Sequence, residues 1–258
     1  MGKGNAIGQS AVSRIDSRAG IRFLPAGDTA VVVEFGSIID PAINAEVRAL
    51  DAALRADPPS GVIETVPTFR SLLVHYDPLR TSQADLVERI GLLLSRPSAA
   101  PKTGRAWRLP ACYEAEFALD VDHVAEAKGL SAAEVIARHA ATEFTVYMLG
   151  FLPGFIFLGG LPEALGMPRR TEPRIRVPAG SIAIAMSLSC IYPVVTPGGW
   201  HILGRSPVRL FDPRRVQEPT LIAPGDRVGF ATVGRAEYDR IATAIETDTL
   251  DPAVEFRA

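Results

Sequence analysis

The thirteen residues Gly150-Phe151-Leu152-Pro153-Gly154-Phe155-Ile156-Phe157-Leu158-Gly159-Gly160-Leu161-Pro162 limit what this chain can fold into more than any other stretch. They are apolar yet crowded with Gly and Pro, which excludes a regular helix. Phe151, Phe155 and Phe157 need burial, which excludes a freely solvated loop. The segment is therefore an ordered irregular stretch, packed either against the protein or against a partner. Its glycines let backbone approach a ligand or another chain closely. Phe151, Pro153, Gly154 and Phe155 are the residues expected to wall a cleft or meet that partner.

Two further stretches share this character. Arg174-Ile175-Arg176-Val177-Pro178-Ala179-Gly180-Ser181 places two cations beside a tight turn. Thr196-Pro197-Gly198-Gly199-Trp200-His201-Ile202-Leu203-Gly204-Arg205 places Trp200, His201 and Arg205 after a Gly-Gly hinge. Arginine suits bidentate binding of carboxylate or phosphate. Taken singly, each arginine reads as the solvated edge of a turn. Taken together, the three stretches indicate one lined cleft.

Across 258 residues, 27 basic and 29 acidic side chains leave a net charge of −2. That balance offers no attraction to nucleic acid or to an anionic membrane. No run approaches the roughly 20 apolar residues of a spanning helix. Residues 1–20 carry too few large apolar side chains to offset ordering entropy and read as a flexible tail. They lack the apolar segment of a secretion signal. A cytoplasmic chain is expected, with Cys112 and Cys190 as reduced structural thiols.

Ile21–Phe35 alternates and is rich in Val, a strand broken at Gly27–Asp28 by a turn or bulge. Asp40–Pro41 opens a helix, Asp as cap and Pro at the first position, with Ile43, Val47, Leu50 and Leu54 on one face. Val62–Val66 and Phe69–Tyr76 read as strands. Ser82 and Asp85 open a second helix with Leu86, Ile90 and Leu93 inward. Trp107–Tyr113 is a further strand, which either pairs back or belongs to the next domain. Strand, helix, strand, strand, helix, strand is the split βαβ order of a ferredoxin-like α/β sandwich, assigned to residues 21–100. Pro97–Thr103 reads as a linker. Residues 101–258 begin with helices at Asp122–Lys128 and, from a Ser131/Glu134 capping box, to about Ala141. Short strands follow at Thr145–Leu149, Gly180–Met186, Ile191–Val195, His201–Gly204, Val208–Phe211 and Arg227–Thr232, with a closing helix at Glu237–Glu246. Many short strands between Gly and Pro turns indicate a small β-barrel, so the class is α+β.

The common catalytic signatures are absent. There is no phosphate loop, no HExxH, no paired CxxC and no G-x-S-x-G elbow. No metal site is expected. His139 and Glu143 lie four apart and can share a helix face, but two ligands do not make a site. ATP chemistry, if it occurs, needs residues outside these motifs or another chain.

Tyr147–Phe155 and Leu158–Pro162 resemble the signature of the allophanate-hydrolase subunit 1 (KipI-like) carboxyltransferase-domain family. Pro168-Arg169-Arg170, Arg174–Ser181, Ile191-Tyr192-Pro193, Pro197–Trp200, Leu203-Gly204-Arg205, Arg209–Pro213 and Pro224-Gly225-Asp226 continue the likeness in order. Phe23–Ala30 and Val66–Val74 resemble its N-terminal half. The resemblance covers nearly everything after Gly20. It implies a ferredoxin-like lobe followed by a cyclophilin-like β-barrel. It also implies the B component of a 5-oxoprolinase, working with a carboxyltransferase-like C component and an A component to open a lactam to glutamate at the expense of ATP. Magnesium would accompany the ATP, shared with those partners. Other members are fused into urea carboxylase, associated with allophanate hydrolysis, or described as inhibitors of a histidine kinase. A free-standing prolyl isomerase is a third reading, though barrel shape does not carry function.

A lactam is resonance-stabilised, and phosphorylating its oxygen gives a better electrophile. That chemistry calls for cations around phosphate and donors around developing oxyanion charge. Under the resemblance Arg174, Arg176 and Arg205 would supply the first, with Trp200 beside them. Backbone N–H groups of Gly198 and Gly199 would supply the second, and His201 or His139 would move a proton. The chain departs from the family at Ile156 and Phe157, where Pro and Tyr are usual. It departs again at Ser187–Cys190, which replaces a Gly-rich stretch, and at His201, where Gln is common.

Overall fold

The computed structural model describes residues 20–95 and 104–258. The tail expected before Gly20 and the linker expected at Pro97–Thr103 lie outside the described residues. The chain divides into two compact units, Met1–Pro101 and Lys102–Ala258. Among the described residues no helix is long and apolar enough to cross a membrane.

The first unit runs β1 (Arg22–Pro25), β2 (Ala30–Glu34), α1 (Pro41–Ala56), β3 (Val62–Pro67), β4 (Ser71–Tyr76) and α2 (Gln83–Ser95). Its sheet is antiparallel in the order β1-β2-β4-β3. Asp40 caps α1 as expected, its Oδ1 accepting from the N–H groups of Ala42 at 2.8 Å and Ile43 at 3.2 Å. Val47, Leu50 and Leu54 then fall on one face and are buried with Val31, Val33, Leu72 and Val74. Each such side chain contributes about 1.5–3 kcal/mol of burial. Asn44, fully buried on the same helix, donates through Nδ2 to the Thr68 and Phe69 carbonyls and so ties α1 to the β3–β4 turn.

Two points that the sequence leaves open are decided here. The broken strand at Ile21–Phe35 is a hairpin, because Gly27 takes φ 69°, a left-handed conformation that reverses the chain. The strand after α2, β5 (Ala106–Ala111), joins the second unit, and β1 occupies the sheet edge beside β2. β5 goes there because Trp107, Leu109 and Ala111 alternate into the second unit's core. Trp107 Nε1 also donates to buried Asp226, at 2.8 Å.

The second unit continues with α3 (Val121–Lys128), α4 (Ala132–Ala140), β6 (Phe144–Leu149), β7 (Ile156–Gly159), β8 (Arg174–Val177), β9 (Ser181–Ala185) and β10 (Leu188–Ile191). β11 (Thr196–Gly198), β12 (His201–Arg205), β13 (Arg227–Thr232), α5 (Arg235–Glu246) and α6 (Pro252–Glu255) complete it. The Ser131/Glu134 capping box is formed in both directions, and Gly129 ends α3 at φ 63°. Seven strands make one sheet in the order β12-β9-β10-β7-β6-β13-β5. Its two edges meet: the Cys112 N–H donates to the Arg205 carbonyl at 2.8 Å, and the Arg205 N–H returns the bond at 2.9 Å. The sheet is thereby a nearly closed barrel. β8 and β11 form a separate ribbon.

The strand expected at Ile191–Val195 lies earlier, at Leu188–Ile191. Those four residues are buried between β9 and β7, and Pro193, which has no N–H, cannot extend a ladder. Val208–Phe211 is not a strand; only a single bridge joins Phe211 to Thr220.

Candidate functional site

The apolar segment divides in two. Gly150–Phe155 is a tight loop in which the Leu152 N–H bonds Gly150 O at 2.8 Å and the Phe155 N–H bonds Leu152 O at 3.0 Å. Ile156–Gly159 then enters the barrel as β7. Gly154 sits at φ 75°, and a Cβ there would lie 2.7 Å from Cβ of Phe211, so only glycine fits. Phe155 is buried, whereas Phe151 is 68% exposed at φ 70°. A bulky residue in the left-handed region is an outlier that its surroundings must hold in place. Pro153 is exposed on the same loop. Behind it runs a series of aromatic contacts. Phe155 meets Phe151 at 5.4 Å, Tyr192 at 5.0 Å and Phe157 at 4.8 Å, and Phe157 meets Trp200 at 5.9 Å. The question of burial against the barrel or exposure to a partner thus has a split answer: Phe155 faces in and Phe151 faces out.

The three arginines expected to share a cleft have different surroundings. Arg174 gives both terminal nitrogens to Asp120, each at 2.8 Å. Arg205 donates Nε to the Ala179 carbonyl at 2.7 Å, its guanidinium 5.4 Å from the centre of the Phe117 ring. Arg176 is exposed on β8. Gly198 pairs with Arg174 across the ribbon, and a Cβ on it would overlap the Tyr192 phenol. The Gly199 carbonyl accepts the Arg170 N–H at 2.8 Å. Trp200 is buried beside them.

What gathers on this face of the second unit is a group centred on Asp120. Its carboxylate, 4% exposed, accepts from Arg174 twice, from Arg170 Nη1 at 2.9 Å and from the Ile202 N–H at 2.7 Å. Burial pushes the Asp120 pKa up, but the Arg174 and Ile202 hydrogen bonds and both guanidiniums outweigh it and hold it below the ordinary value. His201 is buried and its Nε2–H donates to the Pro168 carbonyl at 2.9 Å. Exposed His123 stacks on it at 5.3 Å, with the rings 21° from parallel. Burial lowers the His201 pKa. Arg169, exposed, adds a second net positive charge and acts electrostatically on Tyr192.

His139 is elsewhere, fully buried in the barrel core against Phe144 and Phe230. Nδ1 bonds the Tyr113 hydroxyl at 3.0 Å and Nε2 the Ser189 hydroxyl at 3.0 Å; Ser189 in turn donates to the Ala183 carbonyl at 3.2 Å. Burial pulls its pKa down to about 3. Both ring nitrogens are engaged, and the imidazole stays neutral at ordinary pH. His139 and Glu143 do not pair, since Glu143 is bound to Arg227 at 3.0 Å.

Asp120, Arg170 and His123 carry this group, and none of the three stands out in the sequence as a site residue. Asp120 resembles an ordinary helix cap, yet its side chain makes no cap bond. The one available signal was the Pro168-Arg169-Arg170 run. A cavity of about 370 Å³ in the same unit is lined by other residues, including Arg209, Asp212, Arg214, Leu221 and Asp248. Arg209 and Arg214 there are matched by Asp212 and Asp248. At the Asp120 face two guanidiniums share a single carboxylate, and on that ground it is the candidate site.

The sequence profile of the carboxyltransferase domain, subdomain C and D, matches residues 21–222. The chain is similar to the B component of 5-oxoprolinase from Bacillus subtilis (strain 168), 37% identical over 226 residues, 82% of this chain and 92% of that protein. It is similar to the crystal structure of TTHA0988, with a TM-score of 0.70 at 37% identity, over 79% of this chain and 40% of that one. The present chain thus spans two fifths of that relative. Kluyveromyces lactis urea carboxylase shares the fold alone, with a TM-score of 0.73 at 19% identity over 94% of this chain and 24% of that chain.

Proposed function

The chain belongs to the family of carboxyltransferase domains, subdomains C and D, and from that membership we propose that it is the B component of a 5-oxoprolinase. The observation that carries this reading is the match to the Bacillus subtilis protein along 92% of its length. The reaction is 5-oxoproline, ATP and water to glutamate, ADP and phosphate, in an assembly with a carboxyltransferase-like C component and an A component. The isolated chain is inactive. We place the assembly in the cytoplasm, in keeping with two free, buried cysteines. We read the first unit as a ferredoxin-like lobe in which β1 takes the place of the returning strand, and the second as a cyclophilin-like barrel. The strand order and the Cys112–Arg205 closure support both.

Two of the arginines expected to hold phosphate are engaged within the chain. Arg174 and Arg205 are held by Asp120 and by the Ala179 carbonyl. Among the described residues no group of three or more His, Cys, Asp or Glu is disposed to hold a metal ion. We assign ATP and its magnesium to a site shared with the partner proteins. This chain contributes a cationic wall of Arg170 and Arg174 ordered by Asp120, the Gly198–Gly199 backbone and an apolar ledge ending at Phe151. Mixing the purified chain with the A and C components should give ATP-dependent glutamate release from 5-oxoproline. No turnover with the complete set would remove the reading.

A further inference from the structure

His201 holds an unmet hydrogen-bonding demand. A carbonyl oxygen can only accept, so the bond from Nε2 to Pro168 O fixes the proton on Nε2 and leaves Nδ1 a bare acceptor. That Nδ1 is buried and has no partner among the described residues, and the residue is 3% exposed. Buried polar atoms are rarely left so, and those that are call for a specific explanation. The charged groups that act on it are the Asp120 carboxylate and the Arg170 guanidinium. Arg170, joined to this loop by its N–H bond to Gly199 O, spends Nη1 on Asp120 and Nε on Glu172 O at 3.3 Å. Its Nη2 makes no hydrogen bond among the described residues, and its side chain is 27% exposed. Asp120 neutralises one of the two guanidiniums it binds, and Arg169 is exposed beside them. The exposed ring of His123 stacks on one face of His201 and leaves the in-plane direction of Nδ1 to other groups.

The complement of a bare acceptor next to two guanidiniums that share one carboxylate is a ligand with a hydrogen-bond donor adjacent to an anion. Inorganic phosphate satisfies the cations and in its hydrogen form offers an O–H donor, so it is the competing ligand that the test must separate from an amide. We propose that His201 Nδ1 and Arg170 form a subsite for an α-amido carboxylate, His201 accepting the amide N–H and Arg170, with Arg169, binding the carboxylate. 5-Oxoproline has this arrangement: the lactam N–H and the carboxylate sit on the same carbon. The inference rests on the proposed function for the ligand's identity. It makes His201 a substrate-binding group, not a carrier of the proton.

The test is titration calorimetry of the full chain with four probes: 5-oxoproline, its ring-oxygen isostere 5-oxotetrahydrofuran-2-carboxylate, 2-pyrrolidinone and inorganic phosphate. The expected result is binding of 5-oxoproline, at least tenfold weaker binding of the isostere that lacks N–H, and no binding of pyrrolidinone. His201→Leu should bring lactam and isostere to equal affinity. His201→Gln, which offers one donor and one acceptor, should restore the preference. Arg170→Gln should weaken both carboxylates alike. Thermal melts confirm that each variant is folded. Equal affinity for lactam and isostere, phosphate binding as tightly as 5-oxoproline, or no binding at all would overturn the inference. Glutamate release by the reconstituted assembly is scored separately. A chain that reconstitutes activity yet ignores His201 sinks this inference alone, and one that discriminates in calorimetry yet never turns over sinks only the assignment of function.

Discussion

Cys112 and Arg205 bond each other through their backbones in both directions, and this one pair joins the two edges of a seven-stranded sheet. The residue before Arg205 makes the approach possible. A Cβ on Gly204 would sit 2.8 Å from the Cys112 carbonyl and 2.9 Å from the Tyr113 ring. Gly204→Ala should therefore cost about 1–3 kcal/mol, the usual penalty of overpacking a filled interior. Urea denaturation would measure it. An unchanged midpoint would mean that the barrel closes without this contact.

Asp120→Asn removes the charge that Arg170 and Arg174 share. Breaking one side of a buried pair costs about 3–5 kcal/mol, and a loss of that order is expected at neutral pH. The native pKa of Asp120 lies below its ordinary 3.8, so the unfolded chain takes up the proton first. The stabilisation is thus complete above the ordinary value and disappears as pH falls through the native one. Acid titration of the variant should lack this component of the wild-type curve.

His139 gives the opposite kind of residue the same direction of dependence. Its pKa falls from 6.5 to about 3 on folding, so between those values the unfolded state binds the extra proton. Stability should be full above pH 6.5 and decline as pH drops toward 3, by at most about 1.4 kcal/mol per pH unit for this group. His139→Gln should be less stable at pH 7, because it disturbs the bonds to Tyr113 and Ser189, and its pH slope in that window should be shallower by up to one proton. Denaturation midpoints at pH 7, 6 and 5 test both parts.

Phe151 and Phe155 touch ring to ring yet should respond differently to substitution. Phe155→Ala empties a buried site and should cost about 3–5 kcal/mol. Phe151→Asn removes an exposed ring from a left-handed backbone position that Asn tolerates, and stability should change by less than about 0.5 kcal/mol. If the exposed ring is the knob that meets the C component, the same variant should weaken co-purification with that protein. Full co-purification would place the interface elsewhere.

Local pattern alone set a large part of this structure. The Asp40–Pro41 start of α1, the Ser131/Glu134 box of α4 and the Gly129 stop of α3 each depend on contacts within a few residues, and all are formed. The exclusion of helix from Gly150–Pro162 held for the same reason: Gly and Pro act on their own backbone. Tertiary structure decided what spans long distances in the chain. Trp107–Ala111 carried a strand pattern that suits either unit, and Asp226, 119 residues from Trp107, drew it into the barrel. Arg174 looked like a free cation for phosphate until folding brought Asp120, 54 residues away, against it. An alternating pattern announces a strand and a guanidinium announces a charge. Neither reveals its partner, because the pairing energy exists only after the chain has closed around it.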